Sequence, residues 1–386
     1  MELTIQQRDF LKGLARTHGV ADRKSSMPIL SNLLLSAEGP EKLRLSATDL
    51  YLGVSAVIPA SIQRGGSIAL AARTLFDIVK ALPEGEITLS VGENQAVTLE
   101  QGKIKYKIPG MPGEDFPPLP NAGEAEWATL DAVALGELIQ LTSYSMSSDD
   151  TRPHLAGTLF EGEGQLVRMV TTDGHRLSKA EVTLGEGAPT LGFGMLVPHK
   201  GVAELKRVLE DAKADAKAAG KEGGDAIMPS VDIATAAGNA FFRRADLQLS
   251  VKLADEQFPP YDKVIPQSQS KRVVALRTKL IDSLKRISLV ASDKSGGGVQ
   301  LSIDAGTMKI VSQNPDVGEG MEEVDVDYAG EPLSIGFNAK YLLDALGALS
   351  HDEVALELSG ELDPGVIRPV GEGPTDFVGV IMPMRI

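Results

Sequence analysis

The chain has 386 residues, 42% hydrophobic and 24% charged, which is the composition of a folded protein with room for two or three domains. It contains no cysteine, so disulfides and thiolate-bound metals are excluded. A formal net charge of −15 argues, on average, against adhesion to nucleic acid.

Residues 7–16 (QRDFLKGLAR) carry helical apolar spacing and predict a first helix. Residues 43–47 read as a strand that runs into Thr48-Asp49-Leu50. A second helix follows over 73–82 (RTLFDIVKAL), opening on a cation and closing on leucine. Residues 87–99 (ITLSVGENQAVTL) are two alternating runs around a Gly-Glu-Asn turn, a hairpin signal. The next segment, Lys103-Ile104-Lys105-Tyr106-Lys107-Ile108, alternates strictly, with lysines on one face and apolar groups on the other. Two readings stay open for it: an edge strand guarded against unwanted pairing, or an interface strand awaiting an acidic partner such as Asp316, Glu319, Glu322 and Glu323. Residues 109–120 (PGMPGEDFPPLP) are too rich in proline and glycine to continue a sheet and predict a joint.

The same order then recurs. Residues 134–140 (ALGELIQ) predict a helix, 166–171 a strand, 200–209 (KGVAELKRVL) a helix, and 231–236 with 240–253 a hairpin around Gly238-Asn239. Residues 211–225 (DAKADAKAAGKEGGD) have balanced charge and no apolar face, and predict a surface insertion, a mobile loop that could carry a frayed helix extension. A second joint spans 258–266 (FPPYDKVIP). Beyond it come a helix at 280–287 (LIDSLKRI), a strand at 308–312 leading to Asn314-Pro315-Asp316, a helix at 340–349 (KYLLDALGAL) and strands at 354–358 and 366–368. The helices starting at 73, 200 and 340 share one pattern, a leading cation and a leucine nine residues later. A period this long is a small domain rather than a solenoid repeat. The chain therefore reads as one α+β domain written three times, helices on one face of antiparallel sheets.

Catalytic motifs are sparse. The Gly-x-Gly pairs never reach the third glycine of a dinucleotide fingerprint, Gly220-Lys221 is followed by Glu222 rather than a P-loop hydroxyl, and the five histidines show no metal-ligand spacing. No catalytic residue, metal or cofactor is predicted. The densest polar cluster is Thr172-Asp173-Gly174-His175-Arg176-Leu177, which could be a strand-end turn, a binding loop, or a general acid–base pair in a hydrolase using Asp173 and His175. Residues 378–386 (VGVIMPMRI) are strongly apolar; they predict a final strand whose last residues could line a groove. Cations recur on the predicted helices, among them Lys12, Arg16, Arg73, Lys80, Lys200, Lys206 and Arg207, and could form a basic lining on an acidic protein.

Taken together, the threefold repeat, TDGHRL, the FPxYxxVIP joint, the terminal MPMRI, PILSNLLL at 28–35 and IGFNAKYLLDAL at 335–346 resemble the bacterial DNA polymerase III β subunit, the sliding clamp, over essentially the whole chain. The resemblance implies clamp domains at 1–122, 126–255 (with an insertion near 211–226) and 258–386. It implies a head-to-tail homodimeric ring, helices inside and sheets outside, that encircles double-stranded DNA without sequence specificity. The implied partners are the polymerase III α subunit, the clamp loader, and other polymerases and repair proteins carrying clamp-binding peptide motifs. By position, the peptide pocket would comprise Leu155, Thr172, Gly174, His175, Arg176, Leu177, Pro259, Val264, Val380 and Met382, extended by Pro383, Met384 and Arg385. DNA contacts would fall to Lys24, Arg73, Lys80, Arg152 and Lys200. The dimer contact would set Lys103, Lys105, Tyr106, Lys107 and Ile108 against a partner's Leu289 and Val290, with the lysines facing Glu319, Glu322 and Glu323. Pro153-His154 departs from the family pattern, which often has two tyrosines there. The opening MELTIQQRDF lacks a signal-peptide layout and no apolar run could span a bilayer, so a cytoplasmic location with no membrane partner is expected.

Overall fold

The computed structural model describes all residues except 23, 150, 186–189, 222–228, 292–296 and 386, with only the backbone of 215–221. Six α-helices occur among the described residues: α1 (Gln7–Thr17), α2 (Ala72–Ala81), α3 (Ala132–Thr142), α4 (His199–Lys221), α5 (Arg277–Ile287) and α6 (Ala339–Ala348). All strand pairings between named strands are antiparallel, as the alternating runs require. The chain forms two compact units, Met1–Ala132 with Ala203–Leu253, and Val133–Val202 with Ala254–Ile386.

In the first unit one continuous sheet of 13 strands carries the helices. The inner face of α1 buries Phe10, Gly13 and Leu14. Gly13 is there because the helix lies so close to the sheet that a Cβ would come within 2.7 Å of Leu45 Cδ1. Gln7, buried on the same helix, gives its side-chain amide to the Val79 carbonyl of α2 at 2.8 Å. In the second unit an 8-stranded sheet runs from Leu191–Pro198 at one edge to Lys271–Leu276 at the other, and a 4-stranded sheet ends on the strand Gly318–Asp325.

Three readings of the sequence need correction. The joint at 109–120 does not end the sheet at once. The strand Ile104–Pro112 pairs with Ala96–Gln101 as far as Pro109, then transfers to Ser67–Ala71 at Gly110, Met111 and Pro112. Its prolines are tolerated because each flank of the strand is paired over only part of its length. The insertion at 211–225 is not a loop from its start, because α4 continues to Lys221; alanine and lysine favour helix, Ala212 is fully buried, and Asp211 is anchored to α1. Its remaining residues, 222–225, lie outside the described residues. Finally, Arg16 does not face outward. It is buried, with Nε 2.8 Å from Asp211 and Nη1 3.4 Å from Asp246.

Candidate functional site

The polar cluster at 172–177 is a hydrogen-bonded turn at the end of a strand. Thr172 Oγ1 donates to the Arg176 carbonyl at 2.6 Å and accepts from Gly174 N at 3.1 Å. Asp173 Oδ1 accepts from the backbone N–H groups of His175 (2.9 Å) and Arg176 (3.1 Å), while Oδ2 accepts from Arg176 Nε at 3.0 Å. Gly174 sits at φ +90°, where a side chain would be strained. Both carboxylate oxygens of Asp173 thus go into building the turn, which favours a structural role for it over proton transfer.

Arg176 is the buried centre of this arrangement. Besides Asp173, its guanidinium reaches Asp344 Oδ2 of α6 at 2.7 Å and the Tyr144 carbonyl at 2.6 Å, and lies 4.4 Å over the Tyr341 ring. Helix α6 is set for this by its cap: Asn338 Oδ1 accepts from the N–H groups of Lys340 and Tyr341. Burial pushes the Tyr144 phenol up to about 12. Tyr341 is also raised, first by burial and then by the Asp173 carboxylate. Arg152, expected against DNA, spends its guanidinium locally, on Asp149 Oδ2 at 2.9 Å and on the Asp173 carbonyl at 3.1 Å.

Beside the turn lies an apolar floor. The strand Arg176–Thr183 pairs with Thr375–Ile381, matching Leu177 to Val380 and Arg176 to Ile381. Leu177 and Val380 join Val170, Tyr261, Val366 and Val378 in one buried cluster, with Phe258 and Ile265 packed against it. Tyr261 is held there by its hydroxyl, which donates to Glu161 at 3.1 Å and accepts from Arg168 at 3.0 Å. Arg168 in turn bonds Glu181 at 2.7 Å. Burial raises the Glu181 carboxyl, but hydrogen bonds from Arg168 and Lys179 more than offset it, leaving it below the usual value. Met382 N donates to the His175 carbonyl at 2.9 Å and Met384 N to the Gly336 carbonyl at 2.9 Å, so the tail is fastened along the floor's rim. Gly174, His175, Val264, Met382 and Arg385 are exposed, Thr172, Pro259, Pro383 and Met384 are half-buried, and Leu155 is buried. The structure therefore brings Thr172, Gly174, His175, Arg176, Leu177, Val380 and Met382 together where the turn and the tail meet at the paired strand ends.

Sequence reasoning missed Tyr144, Tyr341 and Asp344, which hold Arg176. Only the three-residue spacing of Tyr341 and Asp344 on α6, which puts both on one helix face, could have signalled them.

Three family descriptions match the chain in order: DNA polymerase III beta subunit, N-terminal domain, at residues 1–120; central domain, at 129–260; and C-terminal domain, at 262–385. The chain belongs to the DNA polymerase III beta subunit family. Beta sliding clamps of Caulobacter vibrioides (strain NA1000 / CB15N) and Escherichia coli (strain K12) are 34% and 32% identical to it, with 100% of each chain covered. Among solved structures, the DNA polymerase III subunit beta of Pseudomonas aeruginosa matches with a TM-score of 0.88 at 31% identity. A sliding clamp from Bartonella birtlesii bound to griselimycin matches with a TM-score of 0.89 at 33% identity, and both cover 100% of each chain. The threefold repeat read from the helices is thus the three-domain clamp fold of this family.

Most residues assigned to DNA and to dimer contact are exposed. On α2, Arg73 and Lys80 are exposed and each lies 5.8 Å from the Phe76 ring, on which His18 stacks at 4.0 Å. Arg73 also pairs with Asp77 at 2.7 Å. Lys24 and Lys200 are exposed. In the first unit Ile104, Lys105, Tyr106 and Lys107 are all exposed and only Ile108 is buried, so both faces of the alternating strand meet solvent, not the lysine face alone. In the second unit Leu289 is 81% exposed, Val290 half-buried and Met321 exposed on the edge strand Gly318–Asp325. Glu319 and Glu323 lie on that strand, and Glu322 there pairs with Arg286 at 2.9 Å.

Proposed function

We propose that the chain is a DNA sliding clamp built of domains at 1–122, 126–255 and 258–386, two copies of which close head to tail around duplex DNA. In this reading Lys24, Arg73, Lys80 and Lys200 meet phosphates without reading bases, which lets the ring slide, and Arg152 joins them by giving up its bond to Asp149. The strand around Tyr106 and Ile108 pairs with the region of Leu289 and Val290 on the next copy. Such a contact is heterologous and must close at two subunits to avoid filaments. The site at 172–177 and 380–385 takes linear peptide segments of the polymerase α subunit, the clamp loader, and other polymerases and repair proteins. The reading is not enzymatic, and it locates the protein in the cytoplasm with the chromosome.

The observation that carries this proposal is the floor of Leu177 and Val380 rimmed by His175 and Met382, in a chain that matches the family from end to end. An apolar anchor site with a few oriented polar groups is what peptide capture needs. Its test is retention on DNA. The protein is loaded on a nicked circle by a clamp loader and ATP, isolated, and the circle is then cut. Release on cutting is expected of a topological link; retention on linear DNA would overturn the sliding reading.

A further inference from the structure

The first unit contains a second turn built bond for bond like the one at 172–176. Thr48 Oγ1 donates to the Leu52 carbonyl at 2.6 Å and accepts from Leu50 N at 2.9 Å, as Thr172 does with Arg176 and Gly174. Asp49 Oδ1 accepts from Tyr51 N (2.9 Å) and Leu52 N (2.7 Å), as Asp173 does from His175 and Arg176. Lys252 N donates to the Tyr51 carbonyl at 2.8 Å, the counterpart of Met382 on His175. The neighbouring register also agrees, with Leu52 opposite Val251 where Arg176 stands opposite Ile381. Even the following joint repeats, Phe116-Pro117-Pro118-Leu119 against Phe258-Pro259-Pro260-Tyr261.

The side chains on this shared frame differ in an informative way. Where the second turn has Gly174, the first has Leu50, at φ +75° and half exposed. The shared turn needs a left-handed backbone here, as Gly174 at φ +90° shows, but it does not need a leucine, whose strained and half-exposed side chain is unfavourable at this position. Tyr51, in the place of His175, is 65% exposed. Leu177 is replaced by Gly53, and the room is taken by Ser250 and Leu119, whose Oγ and Cδ2 lie 2.5 and 2.9 Å from where a Cβ would stand. Lys252 holds its ammonium 5.6 Å over the Tyr51 ring. The Asp49 carboxylate keeps its charge but is half-buried, with one oxygen turned in to the backbone N–H groups of the turn, whereas the Lys252 ammonium is exposed beside Tyr51 and is the charge that a visitor at Leu50 and Tyr51 would meet.

We infer that Leu50, Tyr51, Leu119 and Lys252 form a second docking site, for a short linear peptide carrying apolar side chains beside a carboxylate. The inference rests on the reading of the 172–177 site as a peptide site, and it differs in place and in chemistry. Leu50 and Tyr51 cover the apolar residues of the peptide and Lys252 pairs with its acid.

The test uses the full chain with 13C-labelled leucine and methionine methyl groups, titrated with acetyl-Asp-Leu-Phe-amide and with acetyl-Lys-Leu-Phe-amide. The Leu50 methyl signals are expected to shift saturably with the acidic probe and several-fold more weakly with the basic one. Tyr51→Ala should abolish the shift and Lys252→Glu should weaken it, with the other methyl signals of the unit unmoved. If the Met382 methyl responds and Leu50 does not, the second site is overturned and the first survives. Silence at both overturns both. A Leu50 shift indifferent to Lys252→Glu overturns the acidic occupant.

Discussion

Met382 gives its backbone N–H to the carbonyl of His175 at 2.9 Å, and that bond fastens the tail to the turn that it borders. Neither residue lies in a strand, yet each extends one: His175 precedes the strand beginning at Arg176, and Met382 follows the strand ending at Ile381. Deleting residues 382–386 removes the rim while leaving the buried pair Leu177 and Val380 in place. Loss of an anchor of this kind costs a binding site about tenfold or more in affinity. Fluorescence anisotropy with a labelled clamp-binding peptide of the polymerase α subunit should record that loss, while sedimentation should find the dimer unchanged. Equal affinity before and after deletion would put the peptide elsewhere.

Arg176 ties the turn to the rest of the second unit. Its side chain is 8% exposed and ties Asp173 of the turn to Asp344 of α6 and to the Tyr144 carbonyl. Arg176→Ala leaves Asp173 and Asp344 without this partner, the kind of loss that costs about 3–5 kcal/mol. Lysine should restore little, because a single ammonium cannot divide itself among three acceptors and an aromatic face. Exposed His175, by contrast, should change stability by less than about 0.5 kcal/mol on substitution by alanine. Urea denaturation of the three variants separates these outcomes.

Glu181 gives the second unit an acid-sensitive element. Burial works against its charge, but the bonds from Arg168 and Lys179 prevail, so its folded pKa falls below the ordinary 4.5. A depressed carboxyl adds stability that is present above pH 4.5 and is lost as the pH falls through the folded value. Glu181→Gln should therefore be less stable than the parent at neutral pH, with the gap closing below pH 4.5. A gap independent of pH would mean that the carboxylate charge is not what stabilises the fold there.

The sequence made the helices legible because each carries its own apolar period; α1, α2, α5 and α6 lie within a few residues of the segments at 7–16, 73–82, 280–287 and 340–349. The turn at 172–177 was visible as a cluster but its chemistry was ambiguous, since whether Asp173 is a base or a turn acceptor depends on where two backbone N–H groups point. The fate of Arg16 could not be read at all. Its partners Asp211 and Asp246 are far away in the chain, and only the fold brings them to it. The extent of α4 is hard to read from sequence because 211–221 lacks an apolar face, while helix propensity and the Asp211 anchor act without one.

Leu289 is the most exposed large apolar side chain among the described residues, at 81%, on the 3-10 turn Ser288–Val290 that follows α5. Exposed Met321 and Val317 lie on or just before the neighbouring edge strand, so the region is apolar and carries an open row of backbone groups. In the first unit, Ile104 and Tyr106 are exposed on a strand that likewise offers a free flank. If these two surfaces meet between copies, Leu289→Asp removes a buried leucine and inserts an unpaired carboxylate, raising the dimer dissociation constant about a hundredfold or more. The fold should be untouched, because the side chain contacts mainly water in the single chain. Sedimentation velocity at falling concentration should find monomers of the variant where the parent stays dimeric, and Tyr106→Asp should act in the same direction. Dimers that persist in both variants would move the interface away from these edges.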